Sequence, residues 1–587
     1  MNDTLAAKAP VRLPVPSLPV KREVPRYRDI RELLAGCAEL FGDHPAYIIK
    51  TQKETKSSPA VYRKVGFDQL KKEVDALGAA LMDMGLLGKR LAVIGKNRYE
   101  WMLGYYAQLC GLGICVPLDK GLPYEEFEFS VFKAKADAVL FDKDHIDFIE
   151  KIRAGEKGSK LTFICMDELE GYLSVPELLA KGQAMPEAEK DKYRALPVDG
   201  NALSIILFTS GTTSLAKAVM LTQYNLCHNI WSVLSTEDLR FGDVNMAFLP
   251  YHHTFGSTGQ TMMSCIGMTT VFCDGLKYIQ KNIQEYGVSV FICVPLLIES
   301  IYKRIMAEVK KQGKEKTLRT GIKLTRGLSK LGIDVRRKVF SEIHEKLGGH
   351  LRYIVSGASP LDPAVAEGFT DLGITLVQGY GMTEASPVIT AENVGNVRYG
   401  SIGKAIPEVE VMIEDPNEEG IGELIARGPN VMLGYYEDEE ATAEMLDKDG
   451  WLHTGDLASM DRDGFVTIRG RKKNVIVLKN GKNVYPEELE VLIDNLPYIS
   501  ECMVFGEPKG DDPKDPVLCV RAVYDPAAVK DAFGEKSAEE LEEIFAADIE
   551  EINAKLPIYK HIFRRYLSDV PMEKTTTGKV KRYKQIG

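Results

Sequence analysis

No two cysteines of this 587-residue chain stand in a C-x-x-C arrangement, and none keeps the spacing of a metal site. The ten cysteines are scattered, which excludes a disulfide framework and reads as reduced, mostly buried small hydrophobes of a cytosolic protein. Positive charge is also short. A net charge of −10 and a pI near 5.6 argue against general binding to nucleic acid or anionic membranes, leaving room only for local patches. The first residues, MNDTLAAKAPVRLPVP, lack the apolar run of an export signal. Residues 101–118 and 244–273 carry no Asp, Glu, Lys or Arg, yet both contain Gly and Pro, so they read as buried segments rather than membrane spans.

What is present suffices for several packed units. Hydrophobic content of 45%, charged content of 27% and a mean hydropathy of −0.14 describe an ordinary globular chain, too long for one hydrophobic core. Residues 9–25 hold five prolines and predict an extended arm rather than part of a core. From about residue 66, helical patterns such as FDQLKKEVDALGAALMDMG alternate with apolar runs such as RLAVIG, AVLFD and LTFICM. The pattern resumes in VSVFICVP, LRYIVSG and ITLVQGYG, which predicts βαβ units around parallel sheets. After residue 401, VEVMIED, GELIARG and GFVTIRG alternate strand with tight turn and predict a small antiparallel sheet or barrel. The basic stretch RKKNVIVLKNGKNVY, residues 471–485, marks a domain boundary, followed by about a hundred residues of mixed strand and helix. Between Lys303 and Lys338 thirteen Lys or Arg face three acids, a solvated helical face on the simplest reading.

The stretch LFTSGTTSLAKAVMLT, residues 207–222, stands in the register of a Walker loop but fails it. Ala216 replaces the glycine that lets backbone N–H groups approach phosphate, and Ala218 replaces the Ser or Thr that holds magnesium. Thr209, Ser210, Thr212 and Thr213 around Gly211 still offer four hydroxyls on a flexible turn, able to wrap a pyrophosphate without a helix behind it. Alone, such a turn is more often an ordinary hairpin. In GYGMTE, Gly-flanked Tyr380 is placed to stack on a base while Glu384 faces phosphates. In HTGDL, Asp456 is a natural acceptor for two vicinal ribose hydroxyls, though a turn aspartate more often bonds its own backbone. KTTTGKVKR near the C-terminus reads by itself as a mobile polar tail.

In this order, LFTSGTTSLAKAV, QGYGMTEASPV, WLHTGDLASMDRDGFVTIRGRKKN and KTTTGKVKR resemble the adenylate-forming superfamily of acyl-CoA synthetases, acyl-adenylate ligases and luciferases. NRYEW, FSEIHEKLGGHLRYIVSGASPLDPAVAE and VLKNGKNVYPEELE bring the chain nearest to the bacterial long-chain fatty-acid CoA ligases within it. The resemblance implies an α/β fold: a large N-terminal domain of parallel-rich subdomains plus a small antiparallel sheet or barrel, and a smaller mobile α+β C-terminal domain. The corresponding boundaries are an arm at 1–26, the N-terminal domain at 27–470, a hinge at 471–474 and the C-terminal domain at 475–587.

By the same resemblance, Thr209 and Glu384 hold Mg2+, and Lys217 is the loop lysine. Thr383 meets the α-phosphate, and Gly357, Ala358 and Ser359 lie beside the adenine, with Gln378, Gly379, Tyr380 and Gly381 completing the nucleotide site. Asp456 and Arg471, fifteen residues apart, take the ribose, while Lys579 bridges carboxylate and α-phosphate. Lys473 is the hinge residue and Gly481 flanks the thiol's tunnel. His253, in LPYHHTFG, matches the acyl-site histidine, whereas His252 reads as structural; Trp231, Met262, Met263 and Met268 could line an acyl tunnel but read as core just as readily. The departures from the family pattern are Ser214, Ala216 and Ala218.

The implied reaction uses ATP and CoA as co-substrates to turn a fatty acid, through an acyl-AMP, into a thioester. Two alternatives stay open: a ligase loading a carrier protein, and a non-catalytic nucleotide- or acyl-binding protein. Also open are contact of a cytoplasmic protein with a membrane face, carried by the 303–338 region, and a homodimer.

Overall fold

The computed structural model describes residues 17–209, 216–509, 512–574 and 580–582. Two large sheets organise the N-terminal part. The first has eight strands in the edge-to-edge order Gly434–Tyr435, Lys217–Thr222, Leu203–Thr209, Gly113–Leu118, Lys89–Ile94, Ala138–Phe141, Thr162–Cys165 and Leu173–Ser174. The second has nine, running Lys404–Ala405, Val388–Ala391, Thr375–Gly381, Tyr353–Ser356, Val290–Cys293, Val244–Ala247, Thr269–Phe272, Pro45–Gln52 and Val61–Gly66. Their inner strands pair in parallel and only the flanks are antiparallel. Parallel neighbours need crossover helices, which cover both faces of a sheet, and this is why runs such as AVLF and VFIC are buried at every residue.

Local chemistry sets the element ends. Thr222 closes one strand and opens the helix Gln223–Leu234 as a reciprocal cap: its hydroxyl accepts from the Asn225 N–H at 3.0 Å, and the Asn225 side chain accepts from the Thr222 N–H at 2.9 Å. Such a cap is worth about 1 kcal/mol. Residues 101–118 and 244–273 form helix and strand inside the main core, and no described helix is long and apolar enough to cross a membrane. Nine of the ten cysteines are buried.

The third unit is an open four-stranded antiparallel sheet, Glu410–Glu414, Gly422–Arg427, Leu452–Met460 and Val466–Arg471, rather than a barrel. The C-terminal part has its own core. There Ile499–Lys509 pairs antiparallel with Asp512–Tyr524, which pairs in parallel with Arg564–Ser568. Leu489 and Ile493 of helix Pro486–Asp494 and Phe545 and Ile549 of helix Ala538–Ala554 close over this sheet.

Two expectations need correction or refinement, and the rejection of a Walker loop gains a topological reason. Residues 17–25 have no regular secondary structure, yet they are not outside the core: Leu18 is 1% exposed within it, and its N–H donates to the Ala405 carbonyl at 2.8 Å. Prolines remove backbone donors but do not stop an apolar residue between them from being buried. The segment 210–215 joins two antiparallel strands, whereas a Walker loop leads from strand to helix, so the topology itself rules that motif out. Strand Val466–Arg471 runs one residue into the segment assigned to the hinge, because Arg471 is still in register with Asp456.

Candidate nucleotide site

Thr209 and Lys217 are cross-strand partners at the mouth of the hairpin, so one turn presents a hydroxyl and a cation together. Ala218, a departure from the family pattern, lies within the strand; it is 3% exposed and its carbonyl accepts the Tyr436 N–H at 2.8 Å. The expectations for Ser210, Gly211, Thr212, Thr213 and Lys579, and the departure at Ser214, concern positions outside the described residues.

Beside the hairpin the strand Thr375–Gly381 ends in a short helical turn, Thr383–Ala385. The turn is tight: a Cβ on Gly381 would lie 1.8 Å from the Pro387 carbonyl oxygen, and the Met382 N–H donates to that same carbonyl. Glu384 emerges buried, with its Oε1 accepting the Tyr435 hydroxyl at 2.8 Å. Tyr435 lies on the edge strand paired with the one that starts at Lys217, and the Lys217 ammonium sits 4.8 Å from its ring centroid. One aromatic residue thus touches both the loop cation and the buried acid. Burial raises the Tyr435 pKa, and the neighbouring Glu384 raises it further, so the phenol stays a donor.

On the other side of the turn, the Tyr380 hydroxyl donates to Asp456 Oδ2 at 2.5 Å, and Arg471 Nε lies 2.9 Å from Asp456 Oδ1. The fifteen-residue spacing becomes a direct cross-strand pair, Asp456 opposite Arg471. Arg471 also donates to the Thr454 carbonyl at 3.0 Å, and the Thr454 hydroxyl accepts the Asp456 N–H at 3.1 Å. Desolvation raises the Tyr380 pKa, and the Asp456 carboxylate acts in the same direction.

Gly357, Ala358 and Ser359 follow the strand Tyr353–Ser356, whose parallel neighbour carries Gln378, Gly379 and Tyr380; Ser356 is in register with Gln378. Ligands of such sheets gather at these carboxyl ends. Ala358 holds a φ of +75°, a strained value for a non-glycine residue. The Gln378 N–H donates to Glu392, whose carboxyl is pushed up to about 7 by burial despite the N–H groups of Arg398 and Gln378.

His253 precedes the helix Thr254–Ser264 and packs edge-on against His252 at 4.3 Å between ring centroids. His252 is buried and pairs with Asp119 at 3.2 Å. The neighbouring cavity is lined by Ala247, Phe248, Leu249, Tyr251, Phe255 and Gly259. Trp231 is not among its walls: it lies under the N-terminal arm, with the Arg26 guanidinium 3.4 Å above its ring. Met262, Met263 and Met268 are buried in the main core. Lys473 is the middle residue of the turn Lys472–Asn474, and Gly481, at φ +77°, closes a separate exposed turn whose N–H donates to the Leu478 carbonyl.

Sequence reasoning missed Tyr435. Its only local signal is the Gly434-Tyr435 pair within NVMLGYY, and nothing in spacing connects it to residues 217 and 384.

A family model described as AMP-binding enzyme matches residues 37–436, and a second, AMP-binding enzyme C-terminal domain, matches residues 473–586. The chain is 29% identical over 456 residues to long chain acyl-CoA synthetase 6, peroxisomal, of Arabidopsis thaliana, covering 74% of this chain and 65% of that protein. It is 27% identical over 484 residues to long-chain-fatty-acid–CoA ligase FadD15 of Mycobacterium bovis, covering 80% of this chain and 78% of that protein. Among solved structures, the anthranilate CoA ligase AuaEII in complex with anthranoyl-AMP superposes with a TM-score of 0.73 at 20% identity, covering 96% of this chain and 97% of that one.

Proposed function

The chain belongs to the AMP-binding enzyme family, and from that premise we propose that it is an AMP-forming acyl-CoA synthetase whose substrate is a long-chain fatty acid. One observation carries the reading: a single turn, Tyr380 to Glu384, links the Tyr380–Asp456–Arg471 cluster to the Glu384–Tyr435–Lys217 cluster. The first suits a ribose and the second a polyphosphate. The long-chain assignment is supported by the names of the relatives.

In this reading an oxygen of the fatty carboxylate attacks the α-phosphorus of ATP, the acyl–phosphate bond forms and pyrophosphate leaves. The sulfur of CoA then attacks the acyl carbonyl, and AMP leaves as the thioester forms. Asp456 accepts the two ribose hydroxyls while Arg471 fixes its carboxylate. Gly357, Ala358, Ser359, Gln378 and Gly379 line the base, and Thr383 meets the α-phosphate. Lys217 and residues 210–213 face the pyrophosphate. His253 orients the acid, and Lys579 offsets the repulsion between the two anions. Glu384 and Thr209 offer a carboxylate and a hydroxyl, the hard oxygen donors that suit Mg2+, and Tyr435 already satisfies one Glu384 oxygen. When bound there, Mg2+ would supply charge neutralisation on the phosphates. Between steps the C-terminal domain turns about Lys473, and Gly481 comes to flank the thiol.

We also propose peripheral contact with an anionic membrane face through the helix Glu315–Ser329 and its flanks. Lys316, Arg319, Lys323 and Lys330 are exposed without an ion pair among the described residues, beside Leu324, Leu331 and Ile333, which are 57%, 75% and 49% exposed. Cations interspersed with exposed apolar side chains suit an anionic headgroup layer.

The test is ATP–pyrophosphate exchange with fatty acids of graded length, followed by thioester formation with CoA. Exchange that collapses in Lys579→Ala and leads to acyl-CoA supports the reading and gives the chain length. Exchange without thioester from CoA would assign a carrier-protein acceptor. Absence of exchange with every acid, in folded protein that binds ATP, would replace the enzyme with a binding protein.

A further inference from the structure

Lys472 and Asn474, the two neighbours of Lys473, are held to opposite bodies. On the N-terminal side, Arg471 is the last residue of its strand and is bound to Asp456 and to the Thr454 carbonyl. The next residue, Lys472, places its ammonium 2.7 Å from Glu423 Oε2. Glu423 sits on the inner strand Gly422–Arg427 with its side chain 8% exposed, and its second oxygen accepts the Gly455 N–H at 3.0 Å. That second bond fixes the carboxylate, so it cannot swing out to follow Lys472. The other groups facing it are His453, with Nδ1 3.5 Å from Glu423 and 3.5 Å from Glu414, and Glu414 itself. Burial alone would raise the Glu423 pKa, but Lys472 and the Gly455 N–H more than offset this, and the carboxylate stays ionised below its usual range.

On the C-terminal side, the Asn474 amide donates to Glu487 Oε1 at 2.6 Å. Glu487 lies in the first turn of helix Pro486–Asp494, whose Leu489 and Ile493 belong to the separate C-terminal core. A Cβ on Gly470 would fall 2.5 Å from Glu487 Oε2, so the glycine is what lets this helix approach the end of the N-terminal sheet as closely as it does.

We propose that Glu423 and Glu487 are positioning residues, clamps on either side of the hinge that confine domain rotation to the backbone of Lys473. The inference rests on the two-step reading above and goes beyond it, since neither carboxylate is among the residues expected to touch substrate. A pivot one residue long gives a defined axis, because only one residue's φ and ψ absorb the change. Releasing either clamp lengthens the pivot, and a domain that has turned then samples orientations other than the one that serves transfer to CoA.

The full-length variants Glu423→Gln and Asn474→Ala test this. Glutamine keeps an acceptor for Gly455 but loses the charge that holds Lys472. In both variants pyrophosphate exchange should stay within about twofold of wild type, while single-turnover transfer from preformed acyl-AMP to CoA should fall by about five- to fiftyfold, with partial rescue in Glu423→Asp. Limited trypsin digestion followed by mass spectrometry should show cleavage within residues 471–473 rising at least about threefold at an unchanged melting temperature. Equal losses in both half-reactions with a lowered melting temperature would overturn the clamp, as would unchanged transfer with unchanged cleavage. If wild-type protein catalyses neither half-reaction, the functional reading falls, and the cleavage rates alone then decide for or against the clamp.

Discussion

Tyr435 presents its hydroxyl to Glu384 and the face of its ring to Lys217, so one residue contacts both the acid and the cation. Replacing it by phenylalanine separates the two contacts, since the ring and the cation–π geometry survive while the hydrogen bond to a buried carboxylate is lost. A hydrogen bond to a charged group contributes about 1.5–3 kcal/mol, part of which should appear as a less well-held Glu384. We expect Tyr435→Phe to raise the Mg2+ concentration for half-maximal pyrophosphate exchange by about three- to tenfold, which is about 0.7–1.4 kcal/mol. A variant with lowered thermal stability and unchanged Mg2+ dependence would reduce Tyr435 to a packing residue. Tyr380 makes a similar point. The sequence predicts a ring for a base to stack on, and the structure adds a hydroxyl committed to Asp456.

At the scale of single elements, the helix Glu315–Ser329 is held by little: only Leu318 and Thr325 are buried on it. Its attachment to the body includes Arg326, which pairs with Glu367 and Asp371, each at 2.6 Å. The remaining cations of this face point outward. Each Lys or Arg near an anionic bilayer contributes about 1 kcal/mol. The triple variant Lys316→Glu, Lys323→Glu and Lys330→Glu should therefore weaken sedimentation with anionic vesicles by about a hundredfold or more, without changing helix content by circular dichroism. Equal sedimentation of wild type with zwitterionic and anionic vesicles would remove the electrostatic argument. The hairpin around residue 216 shows a different effect of element context: Ala218 looks like a loop substitution in the sequence, but the residue belongs to a strand, where a small buried side chain fits.

The whole molecule carries a pH signature in its buried acids. Glu237 accepts a hydrogen bond from Tyr353, and burial pushes its carboxyl up to about 8 despite that bond and the nearby Lys21 and Arg22. In the unfolded chain the same group titrates near 4.5. Between these values the folded state binds the extra proton, so stability declines as pH rises from about 4.5 to about 8. Glu392, pushed up to about 7, acts in the same sense over a narrower window. We expect the melting temperature to fall from pH 5 to pH 8 and the fall to be shallower in Glu237→Gln, measured by calorimetry in matched buffers; an identical slope in the variant would show that Glu237 does not control it.

The alternation of apolar runs with helical patterns determined the sheet architecture in advance, because strand and helix periodicity are local properties that survive without knowledge of partners. VFIC, YIVS and the strand ending in GYG, read as buried strands of a parallel sheet, do pair in parallel, and the structure adds that they are neighbours. The pairing of Asp456 with Arg471 came from the family resemblance, and the structure supplies its geometry, since the two residues stand opposite each other on strands joined by one turn. What the sequence could not contain was any pairing between distant elements. Residues 217 and 435 meet across neighbouring strands of one sheet, 384 reaches them from the end of the other large sheet, and 423 and 472 meet at the four-stranded sheet. Leu18 is buried, and Trp231 is covered by Arg26, because the proline-rich arm folds back over the domain, a long-range docking that composition alone reads as an exposed arm. Local periodicity thus determined which elements form. Only the tertiary structure, through contacts between separate elements, from Asn474 with Glu487 to Lys217 with Tyr435, decided which side chains share a charge, a proton or a pivot.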